Sequence, residues 1–156
     1  MKVFSDGSLI GHTAAMCHDF SDSPGVRGYL QDDADALADT IVSAHRSGWR
    51  VATHAIGDAA IDLVLDAYER CVRDHPRMGW GGRRGTSRPG TGSSTSASPG
   101  PIKCLRAAQL GVVPVPQGRF VGEIGDGMRA GAGAAAFRVG LPLRVASGRR
   151  AGRPGQ

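Results

Sequence analysis

Aromatic residues are scarce in this 156-residue chain, at 5% of positions, and acidic residues almost stop after residue 75. No run of about eighteen or more apolar residues occurs, so the sequence offers no membrane-spanning helix. The N-terminal MKVFSDGS lacks the basic-then-apolar plan of a secretory signal. The three cysteines, Cys17, Cys71 and Cys104, are far apart and form no CxxC pair. That argues against a disulfide framework and a cysteine zinc knuckle, and it fits a reducing compartment, so a cytoplasmic location is expected. What remains is long enough for one modest domain with a core.

The net charge of +5 joins two unlike halves. Residues 1–75 hold 6 Lys and Arg against 12 Asp and Glu, whereas the rest hold 13 against 2. Composition changes at the same place. After Met78 the chain reads GWGGRRGTSRPGTGSSTSASPGP, with almost nothing a core could bury. Such a segment cannot offset its ordering entropy, so residues 79–103 are expected to be disordered. Residues 129–156, rich in Gly, Ala and Arg, carry the same expectation. Structured fragments are expected over 1–78 and 104–128.

Strand and helix alternate through the first half. Lys2–Ser5 reads as a short strand, followed by the turn Asp6-Gly7-Ser8 and a long connection over 9–31. A helix is expected over about Asp33–Ser47, with Leu37, Ile41 and Ala44 as its apolar stripe and Gly48 at its end. RVATHA, residues 50–55, reads as a strand, and Asp58 as the cap of a helix that Pro76 closes. Ile102–Leu110 reads as helix, Gly111 as its C-cap, and Val112–Val115 as a short strand. This rhythm is that of an α/β fold, either a βα barrel or a doubly wound sheet, and supplies roughly three of the eight βα units a barrel needs.

In a βα barrel the reactive groups lie where strands end and loops begin. His54 ends RVATHA, just before Gly57-Asp58, and Lys2 lies on the strand leading to Asp6-Gly7-Ser8. Singly, each has a plainer reading. A lone histidine at a strand end is more often structural than a ligand, a lysine beside the first methionine is more often solvated, and Asp58 is as good a cap as an acid. His12, His18, His45 and His75 show no ligand spacing.

Together the segments say more. KVFSDGSLIGHTAAM, then GWRVATHAIGDAAIDLVLDAYE, then LGVVPVPQGRFVGEIGD resemble the metal-dependent amidohydrolases, in the branch that contains N-substituted formamide deformylases. The resemblance covers residues 1–75 and about 104–128. It implies part of a TIM-type (β/α)8 barrel with roughly its fourth, fifth and seventh strands. It also implies that Lys2 is the fourth-strand lysine that becomes carboxylated, and that His54 is the metal-ligating histidine of the fifth strand. Val112–Gln117 and Gly125–Gly127 would belong to the next strand and its active-site loop. The implied cofactor is a divalent metal, zinc foremost, and the implied partner a small-molecule amide or formamide. Zinc suits imidazole and the hard oxygens of a carbamate, and it brings a bound water to a pKa of roughly 7.

The family pattern also calls for an HxH pair on the first strand, a histidine within R-I-E-H on the sixth and an aspartate on the eighth. None is visible in this sequence. Two ligands do not hold a catalytic metal, so the chain is expected to be inactive alone. It is also expected to fold poorly, with the apolar faces of helices 33–47 and 58–75 meant for absent strands.

The missing sixth-strand motif has a candidate origin in the gene. Gly90-Thr91-Gly92-Ser93-Ser94-Thr95 can be encoded GGC ACC GGA TCG AGC ACN. Read from the third base of the Gly90 codon, those bases give CAC CGG ATC GAG CAC, which is H-R-I-E-H. In three of the five hidden codons two bases are dictated by the visible Thr and Gly residues, and the other two require Ser93 as TCG and Ser94 as AGC. A shifted frame is therefore expected from near Met78 to near Lys103 or Cys104, with a second shift near Arg129. The alternative takes the basic Gly/Arg/Ser stretches as a nucleic-acid-binding element. Against it stand the scarcity of aromatics for stacking, Trp80 and Phe137 only, and the absence of regular RGG spacing. Out-of-frame reading of GC-rich DNA yields the same composition, so a nucleic-acid partner is not expected.

Overall fold

In the computed structural model, the described residues are 1–75, 101–115 and 119–133. Their order is β1 (Lys2–Phe4), α1 (Ala34–Arg46), β2 (Ala52–His54), α2 (Asp58–Asp74), α3 (Pro101–Leu110) and α4 (Arg119–Ala132). The class is mixed α/β, as expected. β1 and β2 pair in parallel, with Lys2 opposite Ala52, Val3 opposite Thr53 and Phe4 opposite His54. Parallel strands need a long crossover, and residues 5–51, with α1 inside them, provide it.

α1 starts where Asp33 accepts hydrogen bonds from the backbone N–H groups of Asp35 and Ala36, at 2.9 and 3.4 Å. It stops at Ser47, and Gly48 follows with φ +93°, a left-handed conformation that glycine adopts without a side-chain clash. Its stripe of Leu37, Ala38, Ile41 and Ala44 is buried, and it packs against α2. α2 turns Ile61, Val64, Leu65 and Tyr68 inward. The Tyr68 hydroxyl lies 2.9 Å from Thr53 Oγ1 and donates to the Val51 carbonyl at 3.2 Å, fixing α2 to the strand beneath it. Burial pushes the Tyr68 phenol up to about 12.

α3 is tied to α2 by a row of ion pairs. Lys103 Nζ reaches Asp62 at 2.6 Å and the Asp58 carbonyl at 2.7 Å, and Arg106 reaches Asp66 at 2.6 Å and Glu69 at 3.0 Å. The partners are spaced three and four apart on α2, so they form one stripe. α4 lies on the connection after β1. Met128 is buried with Leu9, Ala14, Phe20 and Ile56, and the Gly131 carbonyl accepts from the Ser21 N–H at 3.0 Å.

Several expectations need correction. The strand read over 50–55 is confined to Ala52–His54. Asp58 does not cap α2: Gly57 holds the cap position without a side-chain bond, and Asp58 is the first helical residue. Its carboxylate Oδ1 accepts from the first-turn N–H of Ala59 at 3.0 Å and from the Cys17 N–H at 2.7 Å, tying the long connection to the start of α2. Among the described residues Val112–Val115 forms no strand, only an isolated bridge at Val113. Pro114 has no N–H to give a ladder. Gly125–Gly127, read as a loop, lies within α4. There the glycines mark close packing. A Cβ at Gly127 would sit 3.5 Å from Ile10, and one at Gly131 would sit 3.3 Å from Phe20.

α3 begins at Pro101 and α4 continues to Ala132, so both enter segments read from composition as disordered. Residues 79–100 and 134–156, which carry most of that expectation, lie outside the described residues. The apolar faces of α1 and α2 are not left bare: Leu37, Ile41, Val64 and Leu65 are 6% exposed or less. Large exposed side chains occur elsewhere, at Phe4, Trp49, Ile102 and Leu105. No described helix is long and apolar enough to cross a membrane.

Candidate functional site

Strand alternation sorts the parallel pair into two faces. Val3 and Thr53 point into the core beneath the helices, while Lys2 and Phe4 are exposed and His54 half-buried on the other face. Both sequence candidates therefore share one face, with Lys2 two residues below the level of His54 by register. Phe4 connects them. Its ring centroid is 5.4 Å from that of His54, and the Lys2 ammonium lies 5.3 Å from the Phe4 centroid, a cation–π contact.

His54 is held by the turn that follows β1. Its Nε2 lies 2.9 Å from the Gly7 carbonyl, an acceptor, so Nε2 carries the proton in that bond. Asp6 Oδ1 is 3.7 Å from the same nitrogen. From the other side, Ser5 donates its hydroxyl to the His54 carbonyl at 2.5 Å and its N–H at 3.0 Å.

Asp6 is the residue that sequence reading missed. It sits in a turn by composition, yet it is 2% exposed and gathers three chain segments. Oδ2 accepts from Gly57 at 2.7 Å and Ala15 at 3.0 Å, and Oδ1 accepts from Ile56 at 3.0 Å, all through backbone N–H groups. Burial pushes its carboxyl above the ordinary range against the opposing pull of those three donors. The close fit continues at Gly57, where a Cβ would lie 1.9 Å from the Ala15 carbonyl oxygen. A signal existed in the sequence: an Asp-Gly turn directly after one strand, and Gly-Asp directly after the next.

A second polar pair lies on the connection after β1. His12 Nε2 meets Asp22 Oδ1 at 2.8 Å, its ring stands edge-on to Phe20, and its φ is +52°. His45, by contrast, is buried in α1 with Nε2 2.9 Å from the His75 carbonyl.

The donor set does not make a metal centre in this arrangement. Lys2 is engaged with an aromatic face, His54 Nε2 with a carbonyl, and no group of three or more His, Cys, Asp or Glu side chains able to hold an ion occurs among the described residues. Asp6 lies beside His54, and Lys2 stands on the same face of the strand pair as that imidazole.

Comparison with known proteins gives the same parts a larger frame. YtcJ of Bacillus subtilis (strain 168), a protein named as an amidohydrolase, is 41% identical over 70 residues, 45% of this chain and 13% of that protein. Protein LONG AFTER FAR-RED 3 of Arabidopsis thaliana is 41% identical over 69 residues, 44% of this chain and 12% of its own length. Crystal structures of uncharacterized metal-dependent hydrolases from two Pyrococcus species are similar in fold. The one from Pyrococcus horikoshii OT3 matches with a TM-score of 0.68 and 26% identity over 87% of this chain and 25% of its own. The one from Pyrococcus furiosus matches with 0.63 and 27% over 80% and 23%. The chain thus spans about an eighth of the curated relatives it matches and a quarter of the solved structures. The model of the Amidohydrolase family matches residues 1–141, and the chain belongs to that family.

Proposed function

We propose that this chain is part of a metal-dependent hydrolase for non-peptide carbon–nitrogen bonds, with a small amide or formamide as substrate class. In this reading β1–α1 and β2–α2 are consecutive units of a (β/α)8 barrel, and the face bearing Lys2, Phe4 and His54 turns toward the barrel interior. The observation that carries it is the register: both ligand candidates stand on one face of a parallel pair, where the strands run into the Asp6 and Gly57 turns. Lys2 and His54 are then two positions of a larger ligand set, in which zinc is the metal proposed. Asp6 positions His54 and locks the loop that covers the strand ends. With two such positions, the chain has no turnover alone.

The docking of α3 and α4 onto residues 1–75 supports placing 101–133 in the family's own reading frame. The displaced frame would then run from near Met78 to a point before α3 at Pro101, with a further shift beyond the end of α4 at Ala132. Cysteines that are widely separated and form no disulfide support a reducing, cytoplasmic setting.

Zinc content and amide hydrolysis of the purified chain test the proposal. Weak zinc uptake, lowered by His54→Ala and by Lys2→Ala, is expected, with no turnover of formamides or aryl amides. Uptake indifferent to both substitutions would remove the ligand assignment. Tight stoichiometric zinc accompanied by turnover would overturn the proposed inactivity.

A further inference from the structure

The connection from β1 to α1 forms two lobes on either side of a fixed pin. The pin is the segment 15–17. Ala15 donates its N–H to Asp6 at 3.0 Å and accepts at its carbonyl from Ala59 at 3.1 Å, and Cys17 donates to Asp58 at 2.7 Å. Before the pin, residues 7–13 close on themselves, with the Gly7 N–H on the Thr13 carbonyl at 3.1 Å and the Thr13 N–H on the Ser8 carbonyl at 3.0 Å. After it, residues 18–27 fold back, with the Phe20 N–H on the Val26 carbonyl at 2.8 Å and Arg27 Nε on Asp19 at 2.7 Å.

We infer that α4 is a strap across both lobes, and that on its release they lift from the strand ends while the pin stays, drawing the Gly7 carbonyl off His54. The bearing of this motion on hydrolysis rests on the role proposed above for His54. The motion itself does not.

Three observations lead to it. First, α4 meets both lobes. Gly127 packs against Ile10 in one and Gly131 against Phe20 in the other, and the Gly131 carbonyl accepts from the Ser21 N–H at 3.0 Å. Second, the apolar cluster they share is their own. Met128, Leu9, Ala14, Phe20 and Ile56 stand apart from the larger core under α1 and α2. A unit with little buried apolar surface opens before the main body does. Third, the lobes are clasped to each other. His12 Nε2 lies 2.8 Å from Asp22 Oδ1, and its ring stands edge-on to Phe20 with 4.8 Å between centroids. His12 has φ +52°, a left-handed backbone that a residue with a Cβ seldom adopts, so lifting relieves strain that the closed form holds. Thr13, the neighbour of His12, is bonded to Gly7, and the Gly7 carbonyl lies 2.9 Å from His54 Nε2. The closed lobe thus reaches the candidate site through two adjoining bonds.

Native-state amide exchange of the full chain, read residue by residue by NMR, tests the strap. Met128→Ala leaves a cavity beneath both lobes and is expected to speed exchange at Gly7, Thr13, Phe20 and Ser21 by about 30-fold or more. Ala15, Cys17, Ala59 and the amides of α1 are expected to keep their natural rates. The 15N shifts of the His54 ring nitrogens should move with the lobes. Uniform acceleration of pin and lobes marks ordinary loss of stability and overturns the strap, as does acceleration of one lobe alone or of neither. Lobe amides that speed up while the His54 ring stays unmoved overturn its link to the site. Should Met128→Ala not fold, Asp22→Ala decides, since it breaks the exposed clasp without emptying the core. It is expected to speed Gly7 and Thr13 by about 2- to 5-fold and to spare Ala15 and Cys17, and unchanged rates at the first two overturn the inference. No metal enters the readout, so zinc uptake indifferent to His54→Ala would remove the ligand assignment and leave the strap standing.

Discussion

Exchanging Asp6 for asparagine perturbs the junction on which the candidate site hangs. The carboxylate satisfies three buried N–H donors, two on Oδ2 and one on Oδ1. Asparagine offers one carbonyl oxygen and turns an NH2 group toward whatever that oxygen does not reach, so one or two donors lose their acceptor. Each buried orphan costs about 1–3 kcal/mol, so the substitution costs about 2–4 kcal/mol. That is a large share of the roughly 5–15 kcal/mol that holds an ordinary domain. Native-state amide hydrogen exchange reads it at the atoms concerned. The amides of Ala15, Ile56 and Gly57 should exchange about 30- to 1000-fold faster, at roughly 1.4 kcal/mol per factor of ten. The effect also carries a sign in pH. Burial holds the folded Asp6 carboxyl above its ordinary 3.8, so its contribution to stability is fullest below that pH and is lost as pH rises through the folded value. The margin of the natural chain over Asp6→Asn should therefore narrow as pH rises. Unchanged exchange at the three amides would refute the junction, and a margin that widens with pH would show that the N–H donors outweigh burial.

Tyr68→Phe should lower stability by about 1–3 kcal/mol in urea titrations, because Thr53 and the Val51 carbonyl lose a buried partner. The natural chain should also lose stability between pH 10 and about 12, where the unfolded phenol ionises first, and Tyr68→Phe should remove that loss. Lys103→Met should loosen α3 more than Arg106→Ala, because the Lys103 side chain is 18% exposed against 29% for Arg106 and also bonds a backbone carbonyl. Faster proteolysis within 101–110 is the readout, with about 1–2 kcal/mol expected for the first and under about 1 kcal/mol for the second. Gly57→Ala should unfold the β2–α2 turn or displace the 13–16 segment, visible as lost amide protection there, because its Cβ meets a backbone oxygen that has no rotamer to change.

Local chemistry made α1 and α2 legible in the sequence. The Asp33 cap, the stripe of Leu37, Ile41 and Ala44, and Gly48 act within a few residues of one another, as do the apolar positions of α2. The parallel pairing followed from strand–helix–strand order, and the shared face of Lys2 and His54 from alternation once the register was known. Asp6 escaped because its partners lie 9, 50 and 51 residues away, so its Asp-Gly turn gains meaning only beside the Gly57-Asp58 turn after the next strand. α4 escaped for the opposite reason. Gly122, Gly125, Gly127 and Gly131 weaken helix propensity, while Gly127 packs against Ile10 and Gly131 against Phe20 and Leu9. Val112–Val115 reads as a strand by side chain, but Pro114 and Pro116 remove the donors a ladder needs. Asp58 was read as a cap because acidic residues favour helix starts; from one position inside, it accepts from both the first-turn Ala59 N–H and the distant Cys17 N–H.

Sequencing the gene across codons 78–103 by independent reads tests the proposed displaced frame most directly. Bases that spell H-R-I-E-H from the third position of codon 90, with a single-base discontinuity on either side, are expected. An unbroken frame whose codons for Gly90–Thr95 spell something else in the shifted register would contradict it, and residues 78–103 would then be read as they stand.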